Sequence, residues 1–260
     1  MPSIVLQTKM HSGSQLSQVE ENFKLALDGL NIQLTFHEAN SRGWVGVSVS
    51  GEDEKVAIRY LEENVGFCPK SVEDIQRFSV FKGYLTNPAA SRNEIKMDVG
   101  VSPQDVEVVI SLQKLQAQLC DGRKVALNKL IELFGFCKNL PLQVRVLQVD
   151  LSSRRVETEL TEVQLKSYAD WTRSLLDRLL IIGASYNEVN AALHAVGVYR
   201  DIVDVYSLGM FEHAVACKLG TDAAGLIPKV GRVLRRSGLS VFNSRRVVGF
   251  LGEDAMLSSF

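Results

Sequence analysis

The stretch that decides the fold is LQVRVLQVDLSSRRVETELTEVQL, residues 142–165. Apolar and polar residues alternate over residues 142–146, which is the pattern of a half-buried β-strand. The phase then shifts so that Val149 and Leu151 occupy the apolar face, and such a shift indicates a β-bulge. A polar Ser-Ser-Arg turn follows, and the alternation resumes over residues 156–160. The sequence therefore predicts a β-hairpin with a bulge in its first strand.

A second strand candidate lies upstream, in Lys96-Met97-Asp98-Val99-Gly100-Val101. This string and Val144-Arg145-Val146-Leu147-Gln148-Val149-Asp150 resemble S1 domains, which are small OB-type β-barrels that bind nucleic acid. The resemblance implies a five-stranded barrel over residues 77–160, closed by the hairpin described above.

Two further regions flank the predicted barrel. Residues 1–76 show the order β-α-β-β-α, which is most of a ferredoxin-like unit, with the fourth strand missing or hidden in residues 67–76. Residues 161–260 show a linking helix and then β-α-β-β-α-β, the complete ferredoxin-like order. The predicted fold class is α+β: a central S1-like OB β-barrel flanked by two ferredoxin-like βαββα(β) modules. The predicted domains are 1–76, 77–160 and 161–260.

The second helix of the C-terminal module contains Pro228. Proline is tolerated in the first turn of a helix but breaks hydrogen bonds in its interior. We therefore predict a helix from near Leu226 to Gly238, and a final strand over Val247–Leu251. The upstream string Gly220–Gly225 superficially suggests a phosphate loop, but it lacks the ending of that motif, and helix capping by its polar residues is the better interpretation.

The bulk composition is typical of a soluble globular protein. The chain has 260 residues with 46% hydrophobic and 23% charged residues and a net charge of −1. No signal peptide or apolar run of roughly 18 residues is seen, which predicts a cytoplasmic protein with no membrane contact. The four cysteines are widely spaced without a C-x-x-C pair, which favours free thiols over disulfides or a zinc site.

Catalytic motifs are not found in the sequence. The four histidines are scattered, and none stands in a metal-ligand pattern with another His, Glu or Asp. No G-x-S-x-G nucleophile elbow is present. We therefore predict no enzymatic activity, no metal and no cofactor.

The barrel supplies the first candidate nucleic-acid site. S1 domains usually present aromatic rings on their central strands, but Ile95 and Met97 stand at those positions here. The predicted site draws its rings and charges from other positions: Phe78, Phe81, Tyr84, Lys82, Lys96, Arg145, Arg154 and Arg155. Rings would stack on bases and cations would contact phosphates. The alternative is a barrel used for protein docking, with Phe78 and Phe81 in its core.

The C-terminal region supplies the second candidate site. Six basic residues follow one another closely: Lys229, Arg232, Arg235, Arg236, Arg245 and Arg246. Helical spacing puts the first, second and fourth of them on one face, which suits binding to a phosphate backbone. The alternative is a solvated helix face whose charges favour the last turns of the helix.

Taken end to end, the chain resembles an uncharacterised archaeal family, domain of unknown function 2110. The strings that carry the resemblance are Leu176–Leu179, Asp201–Val203 and CKLGTDAAGLIPKVG at residues 217–231. The resemblance implies an archaeal, cytoplasmic protein. An S1 barrel before a ferredoxin-like domain is also the domain order of the alpha subunit of translation initiation factor two.

These observations predict a non-enzymatic protein associated with RNA or the ribosome through an OB barrel and a basic helix. The alternative is a protein–protein interaction module in the transcription or translation machinery, and an unrecognised enzyme comes third. The sequence leaves the oligomeric state open.

Overall fold

The computed structural model describes residues 3–102 and 105–252. The chain forms two compact units, one of Met1–Ile75 with Val99–Asp105 and one of Gln76–Asp98 with Val106–Phe260. The architecture is α+β, with a closed five-stranded barrel and two ferredoxin-like sheets, as predicted. The three predicted domain boundaries stay a prediction.

The first unit is a three-stranded antiparallel sheet with two helices. Its elements are β1 (Ser3–Lys9), α1 (Leu16–Ala26), β2 (Ile32–Glu38), β3 (Trp44–Gly51) and α2 (Glu54–Asn64). The sheet order is β1-β3-β2. Phe67 forms a single antiparallel bridge with Leu6 on the free side of β1. That is the place of the fourth strand in a ferredoxin-like sheet, so this strand is reduced to one bridge.

The connection from β5 to β6 of the barrel, residues 99–105, belongs to the first unit. Val99 and Val101 are buried, and the Arg42 guanidinium donates a hydrogen bond to the Val101 carbonyl. Gly100 has φ +83°, and a Cβ at that position would lie 2.5 Å from the Cys68 sulfur. The strand candidate that ran to Val101 therefore ends at Asp98, because the following residues belong to the first unit instead of continuing the ladder.

The barrel lies in the second unit. Its elements are β4 (Val80–Leu85), β5 (Glu94–Asp98), β6 (Glu107–Ser111), α3 (Leu112–Leu119), α4 (Leu127–Phe134), β7 (Pro141–Asp150) and β8 (Arg155–Leu160). The closed order is β4-β5-β6-β8-β7, with β6 and β8 parallel and the other pairs antiparallel. This is the connectivity of an OB-fold, with the helices inserted before the last hairpin.

The predicted hairpin closes the barrel. Val144 pairs with Leu160 and Asp150 with Arg155, and the register shifts between Val146 and Gln148. That shift confirms the bulge indicated by the change of phase. Both Asp150 carboxylate oxygens accept hydrogen bonds from the serine hydroxyls of the turn at 2.6 and 2.7 Å, and these bonds lower the pKa of Asp150 to about 2.

The C-terminal module follows the barrel in the same unit. Its elements are α5 (Glu162–Arg173), β9 (Arg178–Ile182), α6 (Tyr186–Ala195), β10 (Ile202–Ser207), β11 (Glu212–Cys217), α7 (Ala223–Val233), β12 (Gly238–Phe242) and α8 (Ser244–Leu251). The sheet order β10-β11-β9-β12 places the first strand of the module between its third and fourth strands. This is the complete ferredoxin-like order that the sequence predicted.

Two predicted elements of this module were wrong. The helix begins at Ala223 instead of Leu226, because the Asp222 carboxylate accepts hydrogen bonds from the next helical N–H groups at 3.0 and 3.2 Å. Pro228 therefore lies in the helix interior, and the helix ends at Val233. The last strand is Gly238–Phe242, and the segment predicted as a strand belongs to α8, whose N-cap is Asn243.

The central strands of the C-terminal sheet, β9 and β11, are buried on both faces, whereas Val203 and Tyr206 of the edge strand β10 are 54% and 45% exposed. Helices α6 and α7 cover one face and form a core that includes Leu179, Val189 and Val230. On the other face, Ser240 donates a hydrogen bond to the Gly135 carbonyl at 3.0 Å. An aromatic cluster joins α4, α5 and β12 there: Phe134, Phe136, Tyr168, Trp171 and Phe242. RNA-recognition modules of ferredoxin-like topology bind RNA on an open sheet face, and in this module that face is covered at the central strands β9 and β11.

A buried histidine in β11 makes the stability of the fold depend on pH. His213 Nε2 donates to the Ala184 carbonyl at 3.0 Å, Nδ1 lies 3.2 Å from the Ser207 hydroxyl, and burial lowers the pKa of the imidazole. The unfolded chain therefore takes up a proton at a higher pH than the native protein does. The contribution of neutral His213 to the free energy of unfolding is fully present above the pKa of the unfolded chain. This contribution is lost as the pH falls below about 6.5, by up to about 1.4 kcal/mol per pH unit.

Urea unfolding at about pH 7.5 and about pH 5.5 tests this dependence. His213→Gln is expected to be less stable than the wild type at the higher pH but to lose less stability on acidification. An equal loss in both proteins would show that His213 does not couple folding to protons.

Candidate nucleic-acid interface

The three barrel aromatics proposed for base stacking have different environments. Phe81 is 5% exposed and faces the barrel interior, paired with Val144, whereas Tyr84 is 1% exposed on the opposite face of β4, with its hydroxyl near Gly209 of the C-terminal module. Phe78 precedes β4, is 60% exposed and has φ +70°, with the Arg77 guanidinium 4.6 Å from its ring centroid. Phe78 alone of the three has its ring at the surface, where a base could stack.

Two of the barrel cations, Lys96 and Arg155, share a pair of carboxylates. Lys96 and Arg155 both contact Glu94 and Glu107. The hydrogen bond to Glu107 is the largest cause that raises the pKa of Lys96. These four side chains link β5, β6 and β8, so their charges are balanced within the barrel wall. A phosphate at this surface would compete with two carboxylates for the same cations.

The remaining barrel cations lie apart from one another. Arg145 on β7 forms a two-point contact with Glu159 on β8 at 3.1 and 2.5 Å. Arg154 is exposed in the hairpin turn with φ +52°. Of the predicted barrel cations, Arg145 is therefore held by a carboxylate, and Arg154 lies in the turn and not on a strand.

Lys82 is half-buried between the barrel and the C-terminal module. Its ammonium donates a hydrogen bond to the Leu208 carbonyl at 3.3 Å. Burial lowers the pKa of Lys82, and the charge of Glu212, a fully buried residue of β11, acts in the opposite direction. Lys82 therefore holds two parts of the second unit together.

The C-terminal cations separate into two groups. Lys229 and Arg232 are exposed on α7, and Arg235 and Arg236 are exposed in the turn between α7 and β12, since the helix ends before them. We call these four residues the basic cluster. Among the described residues, none of the four forms an ion pair within 4 Å. The cluster is thus a group of cations without acidic partners in the described structure.

The second group, Arg245 and Arg246, lies in the first turn of α8. Helix α7 has 11 residues and rises about 16 Å, and strand β12 runs back along it. The first turn of α8 is therefore at the opposite end of the module from Arg235 and Arg236. Arg246 pairs with Glu132 at 3.0 Å. The continuous basic surface predicted from the sequence is therefore two separate surfaces.

Sequence analysis did not single out an exposed pair of stacked rings or a lysine beside Arg245. His194 and Tyr199 are exposed and stack with ring centroids 3.8 Å apart and an interplanar angle of 18°. Lys218 lines a cleft with Arg245. His194 is at the end of α6 and Tyr199 is in the short helix that follows it, so no helical or strand periodicity in the sequence indicates that the two rings meet.

Residues 3–102 and 105–252 contain no group of three or more His, Cys, Asp or Glu side chains placed to hold a metal ion. In the same part of the chain, none of the helices combines the length and apolar character needed to cross a membrane. The four thiols are free, and burial raises the pKa of Cys120 and Cys217 to about 11 and of Cys137 to about 12.

The fold and these surfaces define an OB-barrel protein with ferredoxin-like modules. Residues 176–242, which span β9 to β12, match the family model of the DUF2110 C-terminal domain. This match confirms the predicted similarity to that family of unknown function. The chain matches no curated protein.

Two solved structures from Pyrococcus are similar to the chain at 10% sequence identity and a TM-score of 0.27. One is the intact alpha subunit of aIF2 from Pyrococcus abyssi, with 64% of this chain and 96% of that chain covered. The other is the a/eIF2alpha–aDim2p–rRNA complex from Pyrococcus horikoshii OT3, with 49% of this chain and 69% of the matched chain covered. A similarity at this level carries no functional argument.

Proposed function

We propose that this protein is a non-enzymatic RNA-associated protein whose basic cluster contacts the phosphate backbone. The observation that supports the proposal is the contrast between the cations of the two candidate sites. Lys96, Arg145 and Arg155 of the barrel are held by carboxylates, whereas the basic cluster has no ion pair among the described residues.

The contrast matters because a phosphate gains most from a cation that has no competing anion. Binding of an exposed cation to phosphate releases counterions from the nucleic acid and adds to affinity without reading its sequence. A barrel cation must first give up a carboxylate, which offsets much of that gain. The proposed interface is therefore on α7 and the turn after it, and RNA or the ribosome is the partner that fits its charge.

The barrel contributes less to this interface than the sequence predicted. Phe78, with Arg77 over its ring, is the barrel aromatic that could add a stacking contact. Such a contact is sequence-tolerant because every base has a flat face. The proposed recognition is therefore of RNA in general, with little dependence on base sequence.

Fluorescence anisotropy tests the proposal with labelled single-stranded RNA and with a ribosomal RNA fragment. We expect binding at about 50 mM salt that weakens by about 50-fold at about 200 mM, because counterion release at four phosphates of a single strand makes affinity depend steeply on salt. Equal binding of unrelated sequences is expected. No binding to either RNA at the lower salt would contradict the proposal and favour a protein partner.

A further inference from the structure

One end of the C-terminal module collects the start of β9, the end of β11 and the starts of α7 and α8. A cleft of about 190 Å³ lies there, lined by Leu175, Asp177, Lys218, Gly220, Thr221, Asp222, Asn243 and Arg245. Clefts that enclose a whole drug-sized ligand measure roughly 300–1,000 Å³. This cleft has room for part of a ligand, and the rest of the ligand would lie on the surface beside it.

The charges that remain available in the cleft are positive. Asp222 accepts hydrogen bonds from two backbone N–H groups of α7, and Asp177 Oδ2 accepts one from the Asn243 amide at 3.0 Å. Lys218 and Arg245 are exposed, and neither forms an ion pair within 4 Å among the described residues. The cleft therefore offers two cations to an anionic group, beside Asp222 and Asp177 Oδ2, which hold donors of the protein, and Asp177 Oδ1, which is buried without a hydrogen-bond partner among the described residues.

An aromatic surface lies near Lys218, one of these two cations. The Lys218 N–H donates to the Asp201 carbonyl at 2.8 Å, so the short helix Tyr199–Asp201 is fixed next to Lys218. Tyr199 is 47% exposed and is supported from one side by the His194 ring. An aromatic ring held in place with one side covered presents a ready surface for stacking.

We propose that this end of the module binds one nucleotide unit, with its phosphate between Lys218 and Arg245 and its base on Tyr199. The cleft is large enough for the phosphate but not for a whole nucleotide, and the exposed Tyr199 ring near Lys218 would take the base. The unit belongs either to an RNA chain or to a free nucleoside monophosphate. This site does not include the basic cluster, and it binds independently of that cluster.

The test measures binding of AMP and of a 5′-phosphorylated oligoadenylate of about eight nucleotides, a length within the usual range for single-strand sites. Tyr199→Ala is expected to weaken oligoadenylate binding about 5- to 150-fold, whereas Tyr199→Phe stays within about twofold of wild type because it keeps the stacking surface. Lys218→Gln with Arg245→Gln is expected to weaken binding and reduce its salt dependence by about 0.7 log–log units, because one phosphate contact is lost. The matched control is Lys55→Gln with Lys70→Gln, which removes the same charge from exposed positions elsewhere.

Loss of both ligands in the Tyr199→Ala and Lys218→Gln/Arg245→Gln variants identifies a site that accepts free nucleotide. The same loss for oligoadenylate, with no AMP binding by the wild type, identifies an RNA site. Wild-type affinity for both ligands in these variants, or no binding of either ligand by the wild type, overturns the proposal. Substitution of the basic cluster leaves AMP binding unchanged, which separates this proposal from the proposed function.

Discussion

Phe81→Ala is expected to reduce the free energy of unfolding by about 3–5 kcal/mol. Phe81 is 5% exposed on β4, which pairs with both β5 and β7 in the closed barrel. Removing its ring leaves a cavity that a closed sheet cannot fill by collapse. Urea unfolding followed by circular dichroism measures the loss, with an unchanged m-value showing that the native state stays compact.

The matched control is Phe78→Ala, which removes the same ring from a position that is 60% exposed. We expect a change within about 0.5–1 kcal/mol, because little apolar surface is buried there. If Phe81→Ala still binds RNA at low salt under conditions in which it is folded, as Phe78→Ala does, Phe81 is not needed as an RNA contact. Its role is then that of the core residue that the structure shows. Equal stability of Phe81→Ala and the wild type would contradict the barrel packing described above.

Lys82→Met is expected to destabilise the protein by about 3 kcal/mol or more. The substitution keeps the length and apolar character of the side chain but removes the charge that faces Glu212, which is fully buried. A buried carboxylate that loses its cation is more costly than a lost hydrogen bond. The variant should unfold at a markedly lower urea concentration.

The double variant Lys82→Met with Glu212→Gln separates charge from packing. Because it removes both charges, we expect it to be more stable than Lys82→Met alone, with a coupling free energy of about 1–3 kcal/mol. Additive effects of the two substitutions would show that Lys82 and Glu212 do not interact, and would return Lys82 to the set of candidate RNA contacts.

The barrel hairpin could be predicted because its pattern is local. Alternation over residues 142–146 and 156–160, with a phase shift between them, requires knowledge of no other strand. Strand β6 was not predicted, because its five residues, EVVIS, lead directly into α3 without a turn. A short apolar run of this kind cannot be distinguished from the start of a helix by periodicity.

The end of the chain was assigned wrongly for a different reason. Pro228 was used to place the start of α7, but the Asp222 cap and the packing of Leu226 and Val230 hold the helix despite an interior proline. Tertiary packing outweighed a local rule. The error carried forward, so that the helix was extended to Gly238, the strand Gly238–Phe242 was not predicted and α8 was assigned as a strand.

The candidate site was the least predictable part, because pairing of charges depends on strand neighbours. Arg155 is separated from Glu107 by 48 positions and from Glu94 by 61 in the sequence, yet all three meet across the barrel wall. In contrast, the cations of the basic cluster are close in sequence and stay close in space. Cytoplasmic location, archaeal origin and lack of enzymatic activity stay predictions.

The central claim is that the basic cluster contacts RNA phosphates, and the salt dependence of RNA binding tests it most directly. The variant Lys229→Gln/Arg232→Gln/Arg235→Gln/Arg236→Gln is compared with the wild type and with a control that loses four exposed cations elsewhere, Lys55→Gln/Lys70→Gln/Lys124→Gln/Lys166→Gln. We predict that the log–log slope of affinity against salt falls by about 3 units in the first variant and changes little in the control. The same slope in all three proteins would contradict the claim.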